Sequence, residues 1–260
     1  YVEQNGGARA AIDGAEINAH QRQDGLVRRH LVGQRHQEGD AHRGRQPGQD
    51  ADDKATSYFL SGNADGAIVI SHHARDSYLD RISSTLPLVF GGRPGPGHDH
   101  GHYVDVDNIA GGRVATEHLI ARGRRRIATI TGSAVQPVTV DRLNGYRDAL
   151  TAVGLAPDAV EDGDFSFDGA AAAMRRILAR DQLPDAVFAQ SDLMARGALS
   201  VMHAEGLRAP DDIAIVGFDD APLAVAQEPT LTSVRQPSSE QGVRMAEILI
   251  ELLSGADAPR

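Results

Sequence analysis

The chain of 260 residues carries 26 basic against 36 acidic side chains, a formal net charge of -10, with no cysteine, no tryptophan and 4% aromatics. The missing cysteine excludes a disulfide framework, a cysteine-ligated zinc or iron–sulfur site and a cysteine nucleophile. No apolar run approaches the ~18–20 residues of a membrane helix, and a negative total argues against this stretch alone gripping nucleic-acid phosphate. Tyr1–Ala10 shows no basic region followed by an apolar stretch, so no signal peptide is visible and a cytoplasmic protein is expected.

Residues 1–53 hold only eight large apolar side chains, among seven Gln, eight Gly, seven Arg and four His. No strand-like alternation or helical stripe persists there, and such a composition cannot build its share of a core. From Lys54, the single lysine, the pattern changes to short apolar runs alternating with amphipathic stretches. In chain order the strands expected are Ala67–Ile70, Leu86–Phe90, a weaker Tyr103–Val106, Arg126–Ile130, a weak one at Ala159–Val160, Ala186–Ala189, Ile213–Gly217 and a weaker Leu231–Val234. Helices are expected over Arg75–Ser84, Gly111–Arg122, Val140–Val153, Gly169–Arg180, Asp192–Glu205 and Ser239–Leu253. Asp168, Ser191 and Ser238 or Ser239 suit N-caps, and Gly123, Gly154, Gly206 and Gly255 suit the left-handed position past a helix end. Apolar strands alternating with helices indicate a parallel α/β sheet covered on both faces.

Ligands of such sheets sit beyond the carboxyl ends of the strands. Those ends carry Asp141 and Arg142, Asp164 and Phe165, Gln190-Ser191-Asp192, Phe218-Asp219-Asp220, and Arg235-Gln236. Carboxylates accept hydroxyl protons, arginine donates in a fork and a ring face covers the apolar side of a sugar, so the set suits a small polyhydroxylated ligand. Each residue also has a structural reading: Asp192 supports a helix N-terminus, and Asp219-Asp220 opens a turn. Convergence of five strand ends favours the functional reading.

From about Asp105 to Gly255 the sequence resembles the effector-binding domain of the lactose/galactose-repressor (LacI/GalR) family of transcription regulators. The resemblance is carried by Val106-Asp107-Asn108 with Gly112 and His118-Leu119-Ile120, by Gly123-Arg-Arg-Arg-Ile127-Ala128, and by Arg142-x-x-Gly145-Tyr146-x-x-Ala149-Leu150. Further motifs are Gln190-Ser191-Asp192-x-x-Ala195-x-Gly197, Gly217-Phe218-Asp219-Asp220 and Pro229-x-Leu231-Thr232-Ser-Val-Arg-Gln236-Pro237. Residues 57–93 fit more loosely.

The resemblance implies two similar doubly wound parallel-sheet subdomains of the type I periplasmic-binding-protein kind, with a ligand cleft between them. Their expected extents are 54–107 plus 237–254 for the first and 108–236 for the second. Arg142, Asp192 and Asp219 are then the ligand-binding residues, flanked by Phe165, Ser191 and Gln236. The implied function is effector binding and dimerisation in a repressor, the effector a mono- or oligosaccharide that alters operator affinity. A periplasmic-type sugar-binding protein for transport or chemotaxis is the alternative. No catalytic residue, metal or cofactor is expected, and the implied partners are an effector, operator DNA and a second copy.

The family carries a helix-turn-helix headpiece ahead of this domain and a further strand behind it, so 255–260 reads as a truncated tail and DNA contact belongs to a headpiece missing here. Residues 1–53 stand where the first strand and helix belong. Their Arg/Gly/Gln/His richness is what an off-frame reading of GC-rich DNA gives, so they read as an aberrant or frame-shifted stretch. Gly91–Gly97 lacks the Lys-Ser/Thr of a phosphate loop, and its prolines remove amide donors. His98-Asp99-His100-Gly101-His102 has metal-ligand types in a Gly/Pro setting without a supporting shell, and with His72-His73 it reads as surface.

Overall fold

A computed structural model of the chain describes residues 57–59, 61, 64–70, 77–95, 101–157, 159–221 and 230–255. The expectations for 1–53, for His72-His73, for His98–His100 and for 256–260 lie outside the described residues. The described residues fall into two compact units. One is Val106–Gln236; the other ends at Asp105 and resumes at Pro237.

The smaller unit has the strands β1 (Ala67–Ile70), β2 (Leu88–Gly91) and β3 (His102–Val104), with helices α1 (Ser77–Ser83) and α6 (Ser238–Leu253). All strand pairs are parallel, in the order β1-β2-β3. The alternation of β1 and β2 feeds two cores. Ala67, Leu88 and Phe90 pack with Leu79 and Ile82 of α1, while Val89 packs with Met245, Ile248 and Leu249 of α6.

The larger unit is a five-stranded parallel sheet in the order β5-β4-β6-β7-β8. Its strands are β4 (Ile127–Thr131), β5 (Val160–Asp162), β6 (Ala186–Ala189), β7 (Ala214–Asp219) and β8 (Thr232–Arg235). Helices α2 (Asn108–Ala121) and α3 (Pro137–Ala152) cover one face; α4 (Phe167–Leu178) and α5 (Asp192–Ala204) cover the other. Ile127, Phe188, Val216 and Phe218 meet Leu119, Tyr146 and Leu150 on the first face. Ala128, Ile130, Val187 and Ile215 meet Met174, Ile177, Met194 and Ala198 on the second. Strands buried on both sides read as continuous apolar runs, which is why they were visible in the sequence.

Helices α2 and α3 touch backbone to backbone. A Cβ on Gly112 would stand 2.2 Å from the Arg142 carbonyl oxygen, and one on Gly145 2.0 Å from that of Ile109. Only glycine permits that approach.

Helix starts differ from the sequence reading at two caps. Ser166, not Asp168, caps α4, its side chain accepting from the Gly169 amide, while Asp168 lies in the first turn where its charge suits the helix dipole. At α6 the cap is Pro237 with no side-chain cap bond, and Ser238 is already helical. Ser191 caps α5 as expected, and Gly123, Gly154, Gly206 and Gly255 adopt φ of +83°, +71°, +74° and +73°. No described helix is long and apolar enough to cross a membrane.

Candidate functional site

The carboxyl edge of the five-stranded sheet gathers buried polar groups on a rigid frame. Helix α3, seated by Gly145 and Gly112, carries Arg142 with only 4% of its surface exposed. Its Nε donates to Asn108 Oδ1 at 3.0 Å, and its Nη1 donates to the Gln190 carbonyl at the end of β6. The guanidinium lies over the Phe218 ring, 3.5 Å from its centroid, a desolvated cation–π contact. Asp219 ends β7, with its Oδ1 3.8 Å from Arg142 Nη1 and about a third of its side chain exposed. The same oxygen accepts from Gln236 Nε2 at 2.6 Å, and the Gln236 amide donates to the Asp219 carbonyl at 3.2 Å. Burial pushes the Asp219 carboxyl above its ordinary range, against the pull of Arg142 and Gln236.

Asp192, the first residue of α5, is 1% exposed. Its Oδ2 accepts from the Ala221 amide at 2.8 Å and its Oδ1 from the Ser233 hydroxyl at 2.6 Å. Burial raises this carboxyl from 3.8 to about 6, outweighing both bonds, and the charges of Asp219 and Asp220 push the same way. Ser191 is also buried, its Oγ accepting from the Met194 amide at 3.2 Å. Phe165 follows β5, partly buried, with its ring against Gly132 just past β4.

Backbone strain concentrates on the same edge. Among the described residues the non-glycine positive φ values belong to Asp164 and Phe165, both +50°, Asp219 at +106° and Asp220 at +52°. Such angles cost of order 1–3 kcal/mol each and persist only where neighbours over-determine them. A guanidinium beside a carboxylate, flanked by an amide and a ring, can donate to and accept from adjacent hydroxyl groups at once.

The periplasmic binding protein-like domain family matches residues 116–260. HTH-type transcriptional regulator CelR of Thermobifida fusca is 45% identical over 202 residues, which cover 76% of this chain and 59% of that protein. The solved CelR–cellobiose complex is similar with a TM-score of 0.72 at 45% identity, covering 78% of this chain and 64% of that one. A LacI-family regulatory protein from Chloroflexus aggregans is 33% identical with a TM-score of 0.70, covering 81% of this chain and 76% of that one. The chain belongs to the LacI family. It spans about three fifths, 59%, of the length of that curated CelR regulator.

Within this LacI-family domain, Arg142, Asp219, Gln236 and Ser191 stand on one edge, where the strand-end rule put them. Phe165 stands on that edge at β5, against Gly132. Asp192 is there too, but with both oxygens engaged by the protein itself. Two residues of the site, Asn108 and Ser233, did not enter the strand-end set, and Gln190 and Phe218, which did, stood there without a role of their own. Gln190, fully buried, accepts from the Gly132 amide through Oε1 and donates through Nε2 to the Thr139 carbonyl, both at 3.3 Å, bolting the 132–136 loop and the first turn of α3 to β6. A polar residue directly following an apolar strand marks Gln190, and a small hydroxyl side chain between Thr232 and Val234 of β8 was the available signal for Ser233.

Proposed function

We propose that this chain is the effector-binding domain of a ligand-responsive repressor, with Arg142 and Asp219 as the polar grip on a sugar effector. The observation that carries the reading is the buried Arg142 guanidinium, clamped by Asn108, Gln190 and Phe218, beside a partly exposed Asp219. Holding a charge so firmly next to a carboxylate that reaches solvent serves recognition; Gln236, Phe165 and Ser191 complete the set. The solved CelR complex contains cellobiose, which supports a β-linked glucose disaccharide as the first effector to test. That the relatives are regulators supports this reading over transport. In the whole protein, effector binding changes how paired headpieces of a cytoplasmic homodimer engage operator DNA.

Calorimetry against mono- and disaccharides, beginning with cellobiose, tests this. Arg142→Ala or Asp219→Ala weakens the binding found by at least ~2 kcal/mol, because each leaves a desolvated partner behind. Unchanged affinity in both variants overturns the assignment.

A further inference from the structure

We propose that Asp192 is a positioning residue which fixes the backbone of Asp219, Asp220 and Ala221 through Ser233 and the Ala221 amide, and is not itself an effector contact. The proposal rests on the reading of Asp219 as the effector's carboxylate. The bonds form a closed relay across three elements. Asp192 on α5 takes the Ala221 amide on one oxygen and the Ser233 hydroxyl of β8 on the other. With its proton committed to Asp192, Ser233 Oγ accepts from the Asp220 amide at 3.1 Å. Two consecutive amides past β7 are thus held from one carboxylate, one directly and one through a hydroxyl.

The chemistry suits an aspartate. Both groups facing it donate, and an ionised carboxylate is the side chain of this size that only accepts. Asparagine turns an NH2 toward one of the two donors. The carboxylate also needs room: a Cβ on Gly217 of β7 would lie 2.3 Å from Asp192 Oδ1, so the glycine opens the seat.

What the relay holds is the strained stretch, Asp219 at φ +106° and Asp220 at +52°. On the far side the Gln236 amide donates to the Asp219 carbonyl. Asp192 and Gln236 between them over-determine a conformation that non-glycine residues rarely adopt, and that conformation sets where the Asp219 carboxylate points. A side chain 1% exposed with both oxygens occupied has no face left to offer a ligand.

Amide hydrogen exchange read residue by residue, with cellobiose titration alongside, tests this on Asp192→Ala, Asp192→Asn and Ser233→Ala. In Asp192→Ala, exchange at Ala221 and Asp220 accelerates at least about tenfold, while Ala214, whose amide bonds the Asp185 carbonyl, keeps its wild-type rate. Asp192→Asn, retaining one acceptor, recovers part of the protection, and Ser233→Ala exposes Asp220 alone. Wild-type exchange at both amides in Asp192→Ala overturns the proposal. If that variant does not fold, unchanged exchange at Asp220 in Ser233→Ala overturns it instead. Weaker cellobiose binding in Asp192→Ala with both amides still protected marks a direct contact and also overturns it. Failure of the wild type to bind cellobiose counts against the effector reading alone, and the exchange rates still decide the role of Asp192.

Discussion

The two ends of the five-stranded sheet use the same residue types to opposite effect. At the amino edge Asp185 accepts from the Arg125 and Arg126 amides at 3.0–3.1 Å, Arg126 Nε donates to the Leu183 carbonyl, and Arg124 donates to that of Pro210. These charges pin loops while facing water, where each bond is worth little. At the carboxyl edge Arg142 and Asp192 are 4% and 1% exposed, and strained φ values surround them. There a removed partner leaves a charge without solvent, and the loss reaches its neighbours. Position along a strand, rather than residue type, decides whether an arginine or aspartate is a loop fastener or part of a site.

That contrast breaks first at Arg142. Arg142→Ala, followed by urea unfolding, costs about 3 kcal/mol, since a buried cation linked to Asn108, Gln190 and Asp219 disappears. A loss below ~1 kcal/mol would put the carboxyl edge on the same footing as the amino edge.

A second effect is read by pH. The folded Asp192 carboxyl titrates at about 6 against an ordinary 3.8, so the folded chain holds its proton more tightly. Its contribution therefore raises stability as pH falls from about 6 toward 4, and withdraws it as pH rises through that window. The difference between wild type and Asp192→Asn isolates this slope, on the order of 3 kcal/mol across the window. A flat difference curve would show Asp192 to titrate as an exposed acid does.

The amino edge supplies the smaller effects. Asp185→Ala frees two amides that water can reach and lowers stability by about 1 kcal/mol in the same unfolding assay. Arg208 faces Asp212 at 3.6 Å with 74% of its side chain exposed. Arg208→Ala changes the unfolding free energy by less than ~0.5 kcal/mol and binding not at all. A larger change in either would blur the division between the edges.

Much of this was legible in the sequence because parallel strands buried on both faces leave unbroken apolar runs. Ala67–Ile70 and Ala186–Ala189 were bounded to the residue. The caps were less so: Ser166 and Asp168 are both N-cap types two positions apart, and the choice depends on which oxygen reaches the Gly169 amide. Arg142 and Asp219 could be placed on one edge by counting strands. What Asp192 does could not, since its partner Ser233 lies 41 residues away, on a strand only weakly marked in the sequence. The role of Gln190, though not its place at a strand end, escaped for a related reason: its bonds run to backbone atoms, the Gly132 amide and the Thr139 carbonyl, which carry no sequence signature.

The α2–α3 seam has a bearing on how such a domain can diversify. Two missing methyl groups, at Gly112 and Gly145, set how far the arginine-bearing helix stands from its neighbour, and hence the depth of the guanidinium. A methyl at either place would drive the helices apart and withdraw Arg142 from Asn108 and Phe218 together. New effector preferences are therefore accessible through the loops past the strands, such as 132–136, while the seam stays fixed. The chassis and the recognition surface are separable parts, and the glycines mark the line between them.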